Sequence, residues 1–346
     1  MNTFAQALTY AIPGFLLLIL IEELVARYRG MAVNRGLDAV SSLSSGVTNV
    51  TKDVLGLSIA IITYPMMLKH LAIFHLEATW PAFVIAFVAK DFAGYWTHRL
   101  EHEVNFLWNR HIIHHSSEEF NLSCALRQSI SEIFQLFTVF MLPAALLGVP
   151  VVVIAVVAPI QLFAQFWYHT RVIGKMGPLE AVLVTPSHHR VHHAMNKVYL
   201  DKNYGQIFII WDKMFGTFQP ELADVPPVYG VKRPVQTWNP IRIGFQHFRL
   251  LFMDAWRTRN WADKLRIWFK PTGWRPADLA VAYPVSIVED FAGFEKYDTN
   301  PSRALVLWAW VQLVATLLLM FHLFSQLANI GLSGSLVYGG FLFASV

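Results

Sequence analysis

Imidazole is the reactive group that this chain concentrates. Of its 14 histidines, ten lie between His98 and His193. They fall into His98-x-x-x-His102, His111-x-x-His114-His115 and His189-x-x-His192-His193, with His169 and His188 beside them. On a helix, residues three and four apart share a face, so each cluster aims its rings in one direction. Eight imidazoles converging without a metal would partly charge, repel one another and be costly to bury. One ion takes only a few imidazoles, so this number implies two ions. Ligand type alone leaves Fe, Zn, Cu and Ni open. Cys124 is the sole cysteine, which excludes an internal disulfide and a thiolate cage. The expected metal ligands are His98, His102, His111, His114, His115, His189, His192 and His193, with His169 as a ninth. His188 is expected to hydrogen-bond a neighbouring ligand. His70, His75, His247 and His322 stand outside the pattern and read as satisfied core or interface histidines. The string His98-Arg-Leu-Glu101-His102 also matches H-x-x-E-H, a zinc peptidase signature in which Glu101 would be the general base. That reading leaves two clusters unemployed and is set aside.

The elements that hold these rings belong to a membrane protein. Hydrophobic residues make up 55% of the 346 and charged residues 14%, with a mean hydropathy of +0.42. A soluble domain carries about 25% charged residues. Apolar segments run Phe4–Ile21, Val54–Leu68 (extended towards Phe74), Trp80–Ala89, Ile133–Tyr168, Ala304–Phe321 and Gly334–Val346. Ile133–Tyr168 is broken by Pro143 and Gly148-Val-Pro150 and predicts a helical hairpin. Met1–Gln6 has no Lys or Arg, which argues against a cleaved signal, so Phe4–Ile21 is expected to be a retained anchor. Most basic residues fall between Arg27 and Lys52, between Lys90 and Arg110, and after Arg171. The positive-inside rule then puts the N-terminus outside and the histidine clusters on the cytoplasmic side. The net charge of +4 suits an anionic lipid surface, and no basic run or recognition motif points to nucleic acid. The expected fold is an all-α integral membrane protein: a helical transmembrane bundle under a cytoplasmic cap that holds a histidine-ligated dimetal centre. Residues 1–79 carry N-terminal transmembrane segments, 80–250 the catalytic domain, and 251–346 the rest of the cap and the C-terminal segments.

The three-cluster pattern resembles the fatty acid hydroxylase and sterol desaturase superfamily, and within it the glyceryl-ether-cleaving, alkylglycerol monooxygenase type. The stretches that carry the likeness are His98-Arg-Leu-Glu-His-Glu-Val-Asn-Phe106, His111-Ile-Ile-His-His-Ser-Ser-Glu-Glu119, Gln165-Phe-Trp-Tyr-His-Thr170, Thr185-Pro-Ser-His-His-Arg-Val-His-His193, Asp201-Lys-Asn-Tyr-Gly205 and Trp211-Asp-Lys-Met-Phe-Gly-Thr-Phe218. The resemblance covers about 80–250. It implies two irons on the eight clustered histidines, with zinc able to replace iron in a purified sample. It also implies O₂- and tetrahydrobiopterin-dependent hydroxylation of the carbon beside a glyceryl ether oxygen, after which the hemiacetal falls to an aldehyde and a glycerol lipid. Glu103 and Tyr204 match the family's acidic and tyrosine positions and are implied to contact the pterin or support the ligands.

An unactivated C–H bond is beyond side-chain acid–base chemistry and needs a redox metal. A lipid chain can enter the bundle while its head stays near the cap. Ser116, Ser117, Glu118 and Glu119 are expected to orient ligands or line the pocket mouth, or else to cap a solvated helix end. Gln128 is a candidate head-group contact and Arg127 a structural ion pair. The rival within the superfamily is a fatty acyl or sterol hydroxylase or desaturase fed by a ferredoxin or cytochrome. Rivals of another class are a metal transporter with a histidine ion path and a non-catalytic metal-bound scaffold. The membrane is expected to be a bacterial inner membrane or the endoplasmic reticulum.

Overall fold

The computed structural model describes residues 3–135, 137–291 and 293–346, with side chains from Leu8 onward. Met1 and Asn2, the start of the expected charge-free leader, lie outside them. The described residues are mostly helical. Helices α1 (Thr3–Tyr28) and α2 (Gly36–Val54) precede strand β1 (Ile59–Ala60) and the short α3 (Tyr64–Leu71). Helix α4 (Trp80–Glu103) passes through Val104 into α5 (Asn105–His115), and the single turn α6 (Leu122–Ala125) follows. Strand β2 (Phe134–Gln135) pairs in parallel with β1. Then come α7 (Leu142–Leu146), α8 (Val151–Phe166), α9 (Pro186–His192) and α10 (Ile210–Phe215). The order ends with α11 (Pro240–Arg257), α12 (Trp261–Arg266), α13 (Ala277–Ala282), α14 (Arg303–Gln326) and α15 (Gly331–Ala344).

Among the described residues, two helices are long and apolar enough to cross a bilayer, over Leu8–Tyr28 and Arg303–Gln326. Leu17, Leu20 and Leu24 of α1 and Leu307, Val314 and Leu318 of α14 point outward and are exposed. An outer surface of that kind suits hydrocarbon, not water. The expected span Val54–Leu68 does not form as one helix. Gly56 takes a left-handed φ of +67° just past the end of α2. Thr63 then starts α3 afresh, accepting from the Met66 N–H at 3.3 Å with Pro65 in the first turn. The hairpin turns at Gly148 and Pro150 as expected, but its first arm is only β2, one 3₁₀ turn (Phe137–Met141) and α7. Helix α15 has 14 residues, about 21 Å of rise, short of a hydrocarbon core of about 30 Å.

The packing of α4 positions everything else. Ala82, Ala86, Ala89 and Ala93 form a stripe on α4 that packs with Val153 and Val157 of α8 and Ala144 and Ala145 of α7. Small side chains let these helices approach closely. Between Ala89 and Ala93, Asp91 is fully buried and accepts from the Ile207 N–H (2.8 Å), the Phe208 N–H (3.2 Å) and Trp211 Nε1 (2.8 Å). This carboxylate pins the polar segment 171–302 to α4. Asn105 clamps the α4–α5 junction, donating to the Ile267 and Trp274 carbonyls at 3.0 Å. One turn later Asn109 donates to the Gly244 carbonyl at 2.7 Å and accepts from the Phe248 N–H at 2.9 Å. These two asparagines fix one face of α5 to α11 and leave the histidine face turned inward. Replacing Asp91 by Ala would strand three buried donors, each costing about 1–3 kcal/mol. The expected outcome is a thermal midpoint in detergent lowered by at least about 5 °C, measured against the parent protein.

Candidate metal centre

The nine expected rings converge, and they divide into two groups. His98, His102, His111, His115 and His192 bring one nitrogen each within 4.8 Å of one another, and His114, His169, His189 and His193 do the same. Helical spacing explains the division. The i, i+4 pairs His98/His102, His111/His115 and His189/His193 each chelate toward one centre. His114 and His192 leave their own cluster and join the opposite group. Helix α9 starts at Pro186 with a proline in its first turn, and His169 follows the end of α8.

Main-chain carbonyls set the orientation of the rings. Nδ1 of His98 donates to the Tyr204 carbonyl (2.8 Å), that of His192 to Lys202 (2.9 Å), that of His169 to Gln165 (3.0 Å) and that of His114 to Arg127 (3.3 Å). A carbonyl can only accept, so each of these neutral rings carries its proton on Nδ1 and presents a bare Nε2 inward. His114 Nε2 and His169 Nε2 lie 3.2 Å apart. Two lone pairs cannot hydrogen-bond to each other, so a cation between them is what this contact fits. Other inward nitrogens are spaced alike: His98–His111 at 2.9 Å, His192–His115 at 3.1 Å, His189–His169 at 2.8 Å and His193–His189 at 3.0 Å. Two nitrogens bound to one ion at about 2.1 Å and a right angle would be about 3.0 Å apart. Nε2 of His102 is buried without a partner. The donor set fits two imidazole-held metal ions.

Burial drives the rings neutral. It lowers His114 to about 3, helped by its charged neighbours, and carries His189, His192 and His193 well below the usual imidazole range, with repulsion among the rings adding to it. Neutral imidazole is the form that binds metal.

The loop 201–205 supplies two of the orienting carbonyls. Asp201 and Asn203 adopt left-handed φ values of +58° and +57°. Asn203 ties the loop down by donating to the His188 and Gln219 carbonyls. Both carboxylate oxygens of the fully buried Asp212 accept from the main chain, from Tyr204 N–H and Gly205 N–H at 2.7 Å each. Gly205 permits this: a Cβ there would lie 2.6 Å from the Phe208 carbonyl oxygen. Sequence reasoning missed the carbonyls of Lys202, Gln165 and Arg127, because a main-chain acceptor has no residue type. It also set Glu101 aside with the peptidase reading, yet Glu101 lies 3.6 Å from His111 Nδ1 and pairs with Arg110 at 3.1 Å.

The supporting residues sort by contact. The Tyr204 ring is fully buried and packs on His102 and His98 at 5.3 and 5.8 Å between centroids. Glu103 is partly exposed and pairs with Arg99 at 2.9 Å. His188 joins neither group; its ring packs edge-on against Phe218. Ser116, Ser117, Glu118 and Glu119 are buried and anchor the end of α5. Ser117 donates to Asp38 at 2.6 Å, Glu118 accepts from the Tyr297 N–H, and Glu119 pairs with Arg171 and Lys296. Arg127 is a buried ion pair with Asp38 at 3.0 Å. His247 donates to the Asn105 carbonyl at 2.8 Å, while His70, His75 and His322 are exposed.

A cavity of about 490 Å³ reaches this centre. Leu8, Ile12 and Leu16 of α1, Leu162 of α8 and Leu317 and Met320 of α14 wall it on one side. His98, His111, His114, His169 and His189 wall it on the other, with Gln128 and Gln165 also on the lining. Glu22 holds α1 in place, accepting from the Leu122 N–H at 2.8 Å and from Thr170, the neighbour of His169.

Comparison with known proteins agrees with this centre. The fatty acid hydroxylase family model matches residues 83–217. Alkylglycerol monooxygenase of Homo sapiens is 39% identical over 305 residues, covering 87% of this chain and 67% of its own length. The protein of the same name from Xenopus tropicalis is 35% identical, covering 90% and 69%. Ornithine lipid hydroxylase OlsE of Rhizobium tropici is 32% identical over 154 residues, covering 42% of this chain and 46% of its own length. No solved structure matches the chain significantly. The chain belongs to the fatty acid hydroxylase family, in its alkylglycerol monooxygenase branch.

Proposed function

We propose that this chain is a multi-pass membrane di-iron monooxygenase that hydroxylates the carbon beside the ether oxygen of a glyceryl ether lipid, using O₂ and tetrahydrobiopterin. The observation that carries the reading is the pair of buried, neutral histidine groups at the end of an apolar-walled cavity. The donor set alone accepts zinc as well as iron; the family's hydroxylase chemistry favours iron, because zinc has no redox step to offer. His98, His102, His111, His115 and His192 would hold one ion, and His114, His169, His189 and His193 the other. When bound, the metals supply the activation of O₂ that side chains cannot.

The protein's own residues do the rest. Tyr204, Lys202, Gln165 and Arg127 hold ring orientation through their carbonyls. The walls from α1, α8 and α14 take the alkyl chain and exclude water, and Gln128 and Gln165 lie where a polar lipid head meets the lining. Hydroxylation of this class puts one atom of O₂ into the C–H bond and leaves the other as water, and a bound pterin would supply the two electrons and two protons that this balance requires. The product is a hemiacetal, whose C–O bond then breaks to give a fatty aldehyde and a glycerol. Partly exposed Glu103 is the residue a soluble pterin can reach. Buried Tyr204 supports the ligands from behind. His188 backs the third cluster without ligating.

We place the catalytic unit at 80–250, with membrane helices at 1–79 and 251–346, and 171–302 as a cap over a helical bundle. The distribution of basic residues favours a cytoplasmic cap, at a bacterial inner membrane or the endoplasmic reticulum. The similarity to an ornithine lipid hydroxylase keeps a second reading in play: hydroxylation of another membrane lipid, with electrons from a ferredoxin or cytochrome.

The deciding experiment is metal analysis of the detergent-purified protein, then turnover of a 1-O-alkylglycerol with tetrahydrobiopterin and O₂. Aldehyde release dependent on the pterin, with about two irons per chain, is expected. Two irons without that release would leave the centre standing and move the substrate to other lipids. His114→Ala should lower the metal content to about one ion per chain and abolish turnover, whereas His188→Ala should keep both ions; full metal and full turnover in the His114 variant would refute the ligand assignment. Val47, which lines the cavity from α2, gives a separate check. Val47→Phe should cut kcat/KM for an 18-carbon ether about ten-fold while sparing a short-chain ether and leaving metal content unchanged.

A further inference from the structure

The face built by α11, α12 and the residues after them is unlike the rest of the polar segment. Ile243, His247, Leu251 and Asp254 of α11 are buried at helical spacing against the α5 side. The surface beyond them is not polar. Phe252 is 63% exposed, Trp256 86%, Trp261 79%, Leu265 72% and Phe269 79%. Aromatic side chains carry about 150–250 Å² each, so the five present several hundred Å² of apolar surface, as much as the largest patch on a typical monomer or more. Beneath them, Phe252 meets Trp268 at 4.9 Å and Phe106 meets Phe248 at 5.4 Å between centroids.

Cations are threaded through this surface. Between Arg242 and Tyr283 there are eight Lys and Arg against three acids, Asp254, Asp263 and Asp278, a balance of +5. The whole chain stands at +4, so the remainder is net −1. Asp254 is spent on Arg275 at 2.6 Å, and Asp263 lies by Arg266. Arg249, Arg257, Arg259 and Lys270 are exposed and make no ion pair with the described residues. Arg257 lies over Tyr283 at 4.4 Å and Lys264 over Trp261 at 5.5 Å. Bulky aromatics interleaved with Lys and Arg are the composition of an element that lies in a membrane interface.

The patch also sits at a defined place. The Asn105 N–H donates to the Lys270 carbonyl and the Phe106 N–H to the Trp268 carbonyl, both at 2.9 Å. The patch is therefore clamped to the α4–α5 junction, between His102 and His111. We propose that the 242–283 face is a membrane-docking surface that inserts Trp256, Trp261, Leu265 and Phe269 among lipid head groups and takes anionic lipid with Arg249, Arg257, Arg259 and Lys270. Charge complementarity selects an anionic bilayer surface over a second copy of the chain, whose same face would bring cation against cation.

The lone, fully buried Cys124 makes the test clean. Trp261→Cys and, as a water-exposed reference, Lys197→Cys are each labelled with an environment-sensitive fluorophore in the full chain in nanodiscs. Quenching by aqueous iodide is then measured. In discs of phosphatidylcholine with phosphatidylglycerol, the probe at 261 should be quenched several-fold less than the probe at 197 and emit to the blue. In pure phosphatidylcholine the protection should weaken. Arg257→Gln with Arg259→Gln should remove that dependence on lipid charge. Equal quenching at the two positions in both kinds of disc would overturn the docking surface. Protection that appears only in discs carrying two copies would assign the face to self-association instead. Neither readout depends on which lipid the centre oxidises.

Discussion

Two bare nitrogens face each other at 3.2 Å, and the rest of the structure is arranged so that they do. His114 and His169 each give their only proton to a carbonyl, so neither can donate to the other. Seven more rings crowd the same space. Such a cluster is stable only with positive charge inside it and firm support outside it. The support is mainly main chain: a left-handed loop at 201–205 offers carbonyls to two rings, and the end of α8 and the turn after α6 offer one each. Those carbonyls are held in turn by Asp212, Asn203 and the Arg127–Asp38 pair. The stability of the polar segment 171–302 and the orientation of the rings are thus one problem.

The sequence carried the ring set well, because helical periodicity converts directly into shared faces. Every one of the nine expected rings lies in one of the two groups, His169 included. What spacing did not disclose was the partition. His114 and His115 are adjacent in the chain yet join different groups, since successive helical residues point about 100° apart. His192 crosses over for the same reason. The orienting carbonyls were invisible for a different reason: any residue can supply one. Only the Asn-Tyr-Gly stretch hinted at them, and it was the backbone of Tyr204, not its hydroxyl, that met His98.

The membrane segments were less legible. Apolar runs mark what avoids water but not what forms one helix. Val54–Leu68 has the composition of a span, and Gly56 and the Thr63-Tyr-Pro65 start divide it. Ile133–Tyr168 has the length of a hairpin, yet only its second arm is a long helix. Trp80–Ala89 looked short because its helix continues through polar residues to Glu103, carrying Asp91, His98 and His102 from the apolar layer into the site. That continuity couples the lipid-facing and metal-facing parts of the chain.

The wall that α1 and α14 give the cavity has a consequence for how this protein senses its substrate. Both helices present apolar side chains outward as well as inward, so molecules reach the cavity from among the lipids that surround the chain. Occupancy is then governed by how many neighbours in the bilayer carry the right chemistry. Bulk molarity drops out, and the natural variable becomes a mole fraction in two dimensions. Diluting the membrane with inert lipid slows such a protein even when the total amount of substrate in the vessel is unchanged.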